Sequence, residues 1–238
     1  MTGDQTTGFE FDPIGTIHTP YPEKFAVPRQ PGLVPAARSH IELLGRCNRE
    51  EIVRGLEGFS HLWLVFVFHQ AQRDDWKPTV RPPRLGGNRR VGVFASRSPF
   101  RPNPIGLSVV TLEGIEQSGG HWRVLVGGAD LVDGTPILDI KPYLPYADAL
   151  PDARANYAPE PPAQTVAVQF SEQALAQLDQ LVDAPPNFRT LIEQVLAQRP
   201  QPAYHSDDER IYGMSLYHYN IQWRQSRDVC LVVNLALN

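Results

Sequence analysis

The sequence predicts a mainly β protein in two units, an antiparallel barrel or sandwich followed by a small α+β domain. Three observations carry this reading. Short apolar or alternating segments follow one another through the first 150 residues with no long helical pattern between them. The chain holds 23 prolines in 238 residues, about twice the usual share, which favours short strands and structured loops over long helices. Residues 151–162, PDARANYAPEPP, then read as a linker, and the pattern beyond them changes. The expected units are 8–150 and 151–238.

Residues 9–18, FEFDPIGTIH, predict a bent strand with Pro13 and Gly15 at an edge or bulge. Residues 39–44 read as a strand, 49–56 as one or two helical turns and 57–60 as a corner. Residues 61–70, HLWLVFVFHQ, give the strongest strand signal. Trp63, Val65, Val67 and His69 fall on one face and Leu62, Leu64, Phe66 and Phe68 on the other. Both faces are apolar, which predicts a buried central strand ending in His69 and Gln70. Residues 90–96 alternate as a short strand, and 105–115 and 121–126 as two longer ones joined by a turn at 117–120. Asp133-Gly134-Thr135-Pro136 is a turn signal. Ile137, Asp139 and Lys141 are expected on one face of the strand that follows, the last two as an ion pair.

In the second unit, residues 164–170 alternate as a strand and Ser171 caps a helix running to Val182. Residues 188–198 carry an apolar stripe through Leu191, Ile192, Val195 and Leu196. Residues 211–224 and 229–237 are expected to form a hairpin. Tyr204, His205, Arg210, Tyr212, Tyr217, His218, Tyr219, Trp223 and Arg224 make this unit rich in aromatic and basic groups. Such groups can stack on RNA bases, or alternate aromatics can pack the hairpin onto the helices.

A net charge of −4 argues against a protein that coats nucleic acid, although local sign can differ from global sign. Cys47 and Cys230 lie far apart and outside any CxxC spacing, which predicts neither a zinc site nor a disulfide framework. The first residues are polar and acidic, and the longest apolar run, 62–68, is too short to span a bilayer. A soluble cytoplasmic protein is expected. No GxGxxG follows a strand and no GxxxxGK[ST] occurs, so a Rossmann or P-loop site has no support.

Chemistry concentrates in residues 81–106, RPPRLGGNRRVGVFASRSPFRPNPIG, with six arginines, five prolines, four glycines and no acid. Arginine forks suit phosphate or carboxylate, and proline-stiffened loops lose little freedom on binding. Pro99, Pro102 and Pro104 hold Arg101 and Asn103 in nearly fixed directions. Arg29 and Gln30 lie on a second proline-bracketed loop. His69 sits where a strand leaves the core, as a hydrogen-bonded ring or an acid–base group. Asp130 and Asp133 read as backbone caps and ligand-facing carboxylates. An RNA-binding adaptor without catalysis, or a metal-assisted hydrolase using Asp130, Asp133, Asp139 and His69, fits some of these features. The aspartate spacing is not that of a calcium loop, however, and no metal is expected.

The segments YPEKFAVPRQPGLV, GLEGFSHLWLVFVFHQ, RPPRLGG, VGVFASRSPFRPNPIGLS and DLVDGTPILDIKPYLPY resemble the TsaA-like (YaeB) family, densely over residues 9–150 and more loosely beyond. The resemblance implies a single-sheet antiparallel β-barrel acting as a homodimer, with S-adenosylmethionine near the subunit interface. It implies N6-methylation of N6-threonylcarbamoyladenosine beside the anticodon of a threonine tRNA. At matching positions it implies cofactor contacts from Pro28, Arg29, Gln30, His69, Gln70, Arg97, Leu107, Asp130, Leu131, Val132 and Asp133. His69, Arg97, Arg101 and Asp133 are the implied catalytic set. In that scheme Arg97 or Arg101 neutralises the substrate's anionic group, the aspartates hold the cofactor, and His69 or water takes the N6 proton.

Overall fold

Alternation of inward and outward side chains builds the first unit. The computed structural model describes residues 8–71, 76–86, 88–161, 166–200, 210–226 and 228–238. Its strands are β1 (Gly15–His18), β2 (Arg38–Leu43), β3 (His61–Val67), β4 (Thr79–Val80), β5 (Val91–Gly92), β6 (Ile105–Ser118), β7 (His121–Gly127) and β8 (Thr135–Pro142). β4 and β5 form a ladder of their own, and the other six pair in the closed order β1-β2-β7-β6-β3-β8, with β8 returning to β1. Every pair is antiparallel. The single-sheet barrel is thus present, and closure leaves its six strands without an edge. Ile17, Ile41, Leu62, Leu64, Val110, Val124, Val126 and Ile137 fill its interior. Gly106 is required there, because a Cβ at that position would overlap the Phe66 ring.

Several elements differ from expectation for reasons of register and closure. In β3 only Leu62, Leu64 and Phe66 are buried, while Trp63, Val65 and Val67 are half-buried. A barrel wall has one covered face, so this strand is not sandwiched between layers. A bulge in β8 places Phe66 opposite Ile137 and the adjacent Val65 opposite Asp139. The extra residue shifts the alternation, so Ile137 and Ile140 join the core rather than Ile137, Asp139 and Lys141 sharing a face. The expected ion pair is made, with Lys141 Nζ 2.8 Å from Asp139. Of residues 90–96, only Val91 and Gly92 are extended, and Val93–Ala95 form a 3-10 turn. The β6–β7 turn falls at Gly119 and Gly120, both left-handed with φ of 59° and 84°.

The second unit contains β9 (Ala167–Phe170), β10 (Ile211–Leu216), β11 (Tyr219–Gln225) and β12 (Val229–Leu237) in the order β10-β11-β12-β9. Short helices α1 (Glu50–Val53) and α2 (Pro145–Asp148) belong to the first unit; α3 (Glu172–Asp179) and α4 (Phe188–Ala197) pack on the second sheet. Ser171 caps α3 as expected, accepting from Ala174 N at 3.1 Å, but the helix ends at Asp179. Residues 164 and 165 of the expected strand lie outside the described residues. The expected hairpin is a three-stranded meander, because Tyr217 adopts φ of 53° and splits residues 211–224. Tyr212, Tyr219 and Trp223 are buried in the core between sheet and helices. Tyr204 and His205 lie outside the described residues. No described helix is long and apolar enough to cross a membrane.

The β1–β2 connection contributes Tyr21, Ala26, Val34, Ala36 and Ala37 to this second core. Polar contacts fix it there. Tyr217 N donates to Pro20 O at 2.8 Å. Gln194 Oε1 accepts from Ala36 N, and Asn187 Nδ2 donates to Ala36 O, both at 2.8 Å.

Candidate active site

The barrel has one elaborate mouth. β1, β3 and β7 end there, and β2, β6 and β8 begin there, so the connections 19–37, 68–104 and 128–134 share that end. Backbone bonds knit the first and third: Gly32 N to Gly128 O at 2.9 Å, Asp133 N to Tyr21 O at 2.8 Å and Gly134 N to Ile17 O at 3.0 Å. β3 stops at Val67. Phe68 N donates to Pro104 O at 2.8 Å, and His69–Ala71 form a 3-10 turn.

Between these loops lies a cavity of about 300 Å³, walled by Phe66, Phe68, Phe100, Leu131 and Val132 and carrying Lys24, His69, Gln70 and Asp130. Lys24 Nζ donates to Gln70 O at 2.5 Å, tying the first loop to the His69 turn. Asp130 keeps part of its surface open to the cavity while its carboxyl is largely desolvated. It accepts from Ser108 Oγ at 2.6 Å. Burial pushes its pKa up from 3.8 to about 6, against the opposing effects of the Ser108 bond, a backbone hydrogen bond and the Arg97 charge.

A second cavity, of about 700 Å³, adjoins the first through Pro99 and Phe100. Arg29, Lys77, Arg81, Arg84, Arg90 and Arg97 line it, and among the described residues no acidic one does. Arg97 Nη1 donates to Gln30 Oε1 at 2.5 Å, joining the two proline-stiffened loops. Tyr157, from the segment after α2, closes one side and donates to Ala95 O at 3.0 Å. Uniform positive charge in a concave, proline-walled space suits a polyanion or a carboxylate-bearing ligand.

The residues picked out from the sequence therefore separate. His69, Gln70, Asp130, Leu131 and Val132 meet in the smaller cavity, and Arg29, Gln30 and Arg97 in the larger. Arg101 lines neither. Pro28 is buried behind its loop, and Leu107 points outward from β6 with 55% of its surface exposed. Asp133 faces away from both cavities: its Oδ1 accepts from Thr19 N at 2.9 Å and stands 3.6 Å from His18 Nδ1. Asp130, Asp133 and Asp139 thus engage Ser108, Thr19 and Lys141 separately, and do not assemble the hydrolase-like group considered above. Lys24, Ser108, Phe100 and Tyr157 were not foreseen. Of these only Phe100 had a local signal, its place between Pro99 and Pro102.

Residues 16–149 match the tRNA-methyltransferase O N-terminal domain model and residues 163–238 the TrmO C-terminal domain model. The chain belongs to the tRNA-methyltransferase O family. It is 51% identical over 220 residues to the Escherichia coli tRNA (adenine(37)-N6)-methyltransferase, covering 92% of this chain and 94% of that protein. It is 51% identical over 229 residues to a putative S-adenosylmethionine-dependent methyltransferase, RcsF, of Pseudomonas aeruginosa, covering 94% and 96%. The crystal structure of TrmO from Pseudomonas aeruginosa superposes with a TM-score of 0.78 at 42% identity, covering 98% of this chain and all of that one. Two adjoining cavities thus open at the mouth of this chain's barrel.

Proposed function

We propose that this family member, an S-adenosylmethionine-dependent tRNA adenine-N6-methyltransferase, methylates N6-threonylcarbamoyladenosine beside the anticodon of a threonine tRNA. The observation that carries the reading is the junction of an apolar cavity holding one desolvated carboxylate with a cavity lined by six cationic side chains. S-adenosylmethionine is cationic at its sulfonium and amine, and when bound it supplies an electrophilic methyl group. The smaller cavity fits it chemically: Asp130 is a largely desolvated carboxylate held by Ser108 Oγ and a backbone donor, and Phe66, Phe68 and Leu131 offer apolar surface for a purine.

In this mechanism the chain acts by alignment and exclusion of water rather than through a covalent intermediate. Asp130, ionised above about pH 6, holds the donor's positive or hydroxyl groups. Arg97, oriented by Gln30, neutralises the threonyl carboxylate or a flanking phosphate. Arg29, Arg81, Arg84 and Arg90 grip the anticodon-loop backbone. His69 at the cavity wall orients the acceptor and takes the N6 proton, or hands it to water. Asp133 acts indirectly, holding the end of β1 against the 128–134 turn.

The reading includes a homodimer with the cofactor near its interface. The outward faces of β3 and β6 pair Trp63 with Val109, Val65 with Leu107 and Val67 with Ile105. Ile105 and Leu107 are 44% and 55% exposed. A wall of apolar pairs beside the mouth supports burial against a second copy.

The test is mass spectrometry of nucleosides in tRNA from cells lacking the gene, complemented with wild type or Arg97→Ala. Wild type restores the methylated nucleoside. Arg97→Ala, folded by circular dichroism, restores about a hundredth of it or less. Full restoration by Arg97→Ala removes this arginine from the site, and no change on deletion of the gene overturns the function.

A further inference from the structure

We propose that His18, His40 and Glu42 form a binding site for a divalent transition-metal cation of the zinc class on the outer wall of the barrel, separate from the methyl-transfer cavities. Strand geometry brings them together. His18 and His40 stand directly opposite each other on β1 and β2, and Glu42 lies two residues on, on the same face. Ile17, Ile41 and Leu43 point into the core, so the alternate residues point out. The two imidazoles lie with ring centroids 4.9 Å apart at 27°. One ligand atom from each of the three residues lies within 4.8 Å of the others, and among the described residues they are the one such group of three. Tetrahedral zinc with bonds of about 2.0–2.2 Å needs ligand atoms roughly 3.4 Å apart. Side-chain rotation on a rigid two-strand frame covers that difference.

The surroundings match the ligand set. Asp133 Oδ1 stands 3.6 Å from His18 Nδ1, which places a carboxylate beside the ring and leaves Nε2 available to a metal. Both Arg123 bonds to Glu42 fall on Oε2, at 3.0 and 3.3 Å, which leaves the other oxygen its acceptor capacity. A cleft of about 580 Å³ lined by His18, His40, Asp133 and Arg38 opens to solvent and gives the ion an entry path. Arg38 is itself neutralised by Glu113. Two imidazoles and one carboxylate favour zinc, cobalt or nickel over magnesium or calcium, with water completing the shell. No metal was expected from the sequence, because histidines on two strands escape any spacing rule.

The experiment uses full-length, metal-stripped protein titrated with Zn²⁺ by calorimetry and with Co²⁺ by visible absorption. One equivalent of each binds, and Zn²⁺ raises the melting temperature of the wild type. His18→Gln and His40→Gln each weaken binding at least about tenfold. Glu42→Gln also weakens it, His61→Gln leaves it unchanged, and Arg123→Gln strengthens it by releasing Glu42. Unchanged melting temperatures without metal show that the variants fold. Absence of stoichiometric binding, or binding indifferent to both His18→Gln and His40→Gln, overturns the proposal.

Discussion

Ser108 Oγ donates to Asp130 Oδ1 at 2.6 Å, linking an inward position of β6 to the turn before β8 across the mouth of the barrel. The bond favours the ionised carboxylate, while burial disfavours it more strongly and leaves the pKa at about 6. If Asp130 must be anionic to hold the donor, affinity for S-adenosylmethionine falls as pH drops through that value. Ser108→Ala removes the stabilising donor and moves the midpoint upward. Calorimetric affinity measured as a function of pH reads this directly; an unmoved midpoint in Ser108→Ala would separate Asp130 from cofactor binding.

The same carboxyl has a consequence for stability. Its folded pKa lies above its ordinary value, so between 3.8 and about 6 the native state binds more protons than the unfolded chain. Stability therefore declines as pH rises through that window, and the penalty persists above it. The gap corresponds to roughly 3 kcal/mol. Asp130→Asn carries no such penalty, so its advantage in denaturant unfolding is small at about pH 4 and grows to a plateau at about pH 8. The variant is more stable above about pH 6 and, on the proposed role of Asp130, binds S-adenosylmethionine poorly. An advantage independent of pH would contradict the assignment.

A third prediction concerns the C-terminal unit, whose contribution has a structural basis. Gln194 and Asn187 satisfy both backbone groups of Ala36, on the connection that also carries Lys24, Arg29 and Gln30. Gln194→Ala leaves the Ala36 amide without its acceptor, at a cost of about 1–3 kcal/mol. Hydrogen exchange speeds up across residues 24–37, and cofactor affinity falls several-fold in the intact protein. Normal affinity despite faster exchange would limit the C-terminal unit to a purely structural role.

What the sequence disclosed and what it withheld divide along physical lines. Alternation in residues 61–70 and 105–115 located barrel strands, and proline-stiffened arginines marked the larger cavity, because both are properties of short windows. The β8 bulge was not legible, since it depends on which residue stands opposite Val65 and Phe66. Nor was the turn at Tyr217, which carries no glycine, proline or asparagine. Ser108 sits in an ordinary strand pattern, and its partner is 22 residues away; Lys24 meets Gln70 across 46. Asp133 looked equivalent to Asp130 in sequence. The turn between them sends one carboxylate into the cavity and the other to Thr19.

The apolar outward faces of β3 and β6 explain both the misread burial of residues 61–67 and the placement of Leu107. Trp63, Val65 and Val67 read as core because both faces of the strand are apolar, yet they stand opposite Val109, Leu107 and Ile105 on the outer wall of the barrel. In the proposed homodimer a second copy covers that wall and brings Leu107 against the partner beside the mouth. Leu107→Asp places a charge in the centre of the patch, where desolvating it costs several kcal/mol, so the dimer constant weakens by about a hundredfold or more. Sedimentation velocity measures the change. If the cofactor site draws on the interface, affinity for S-adenosylmethionine falls in step with dissociation and recovers at high protein concentration. A Leu107→Asp monomer that binds the cofactor normally would show that each barrel mouth is complete on its own.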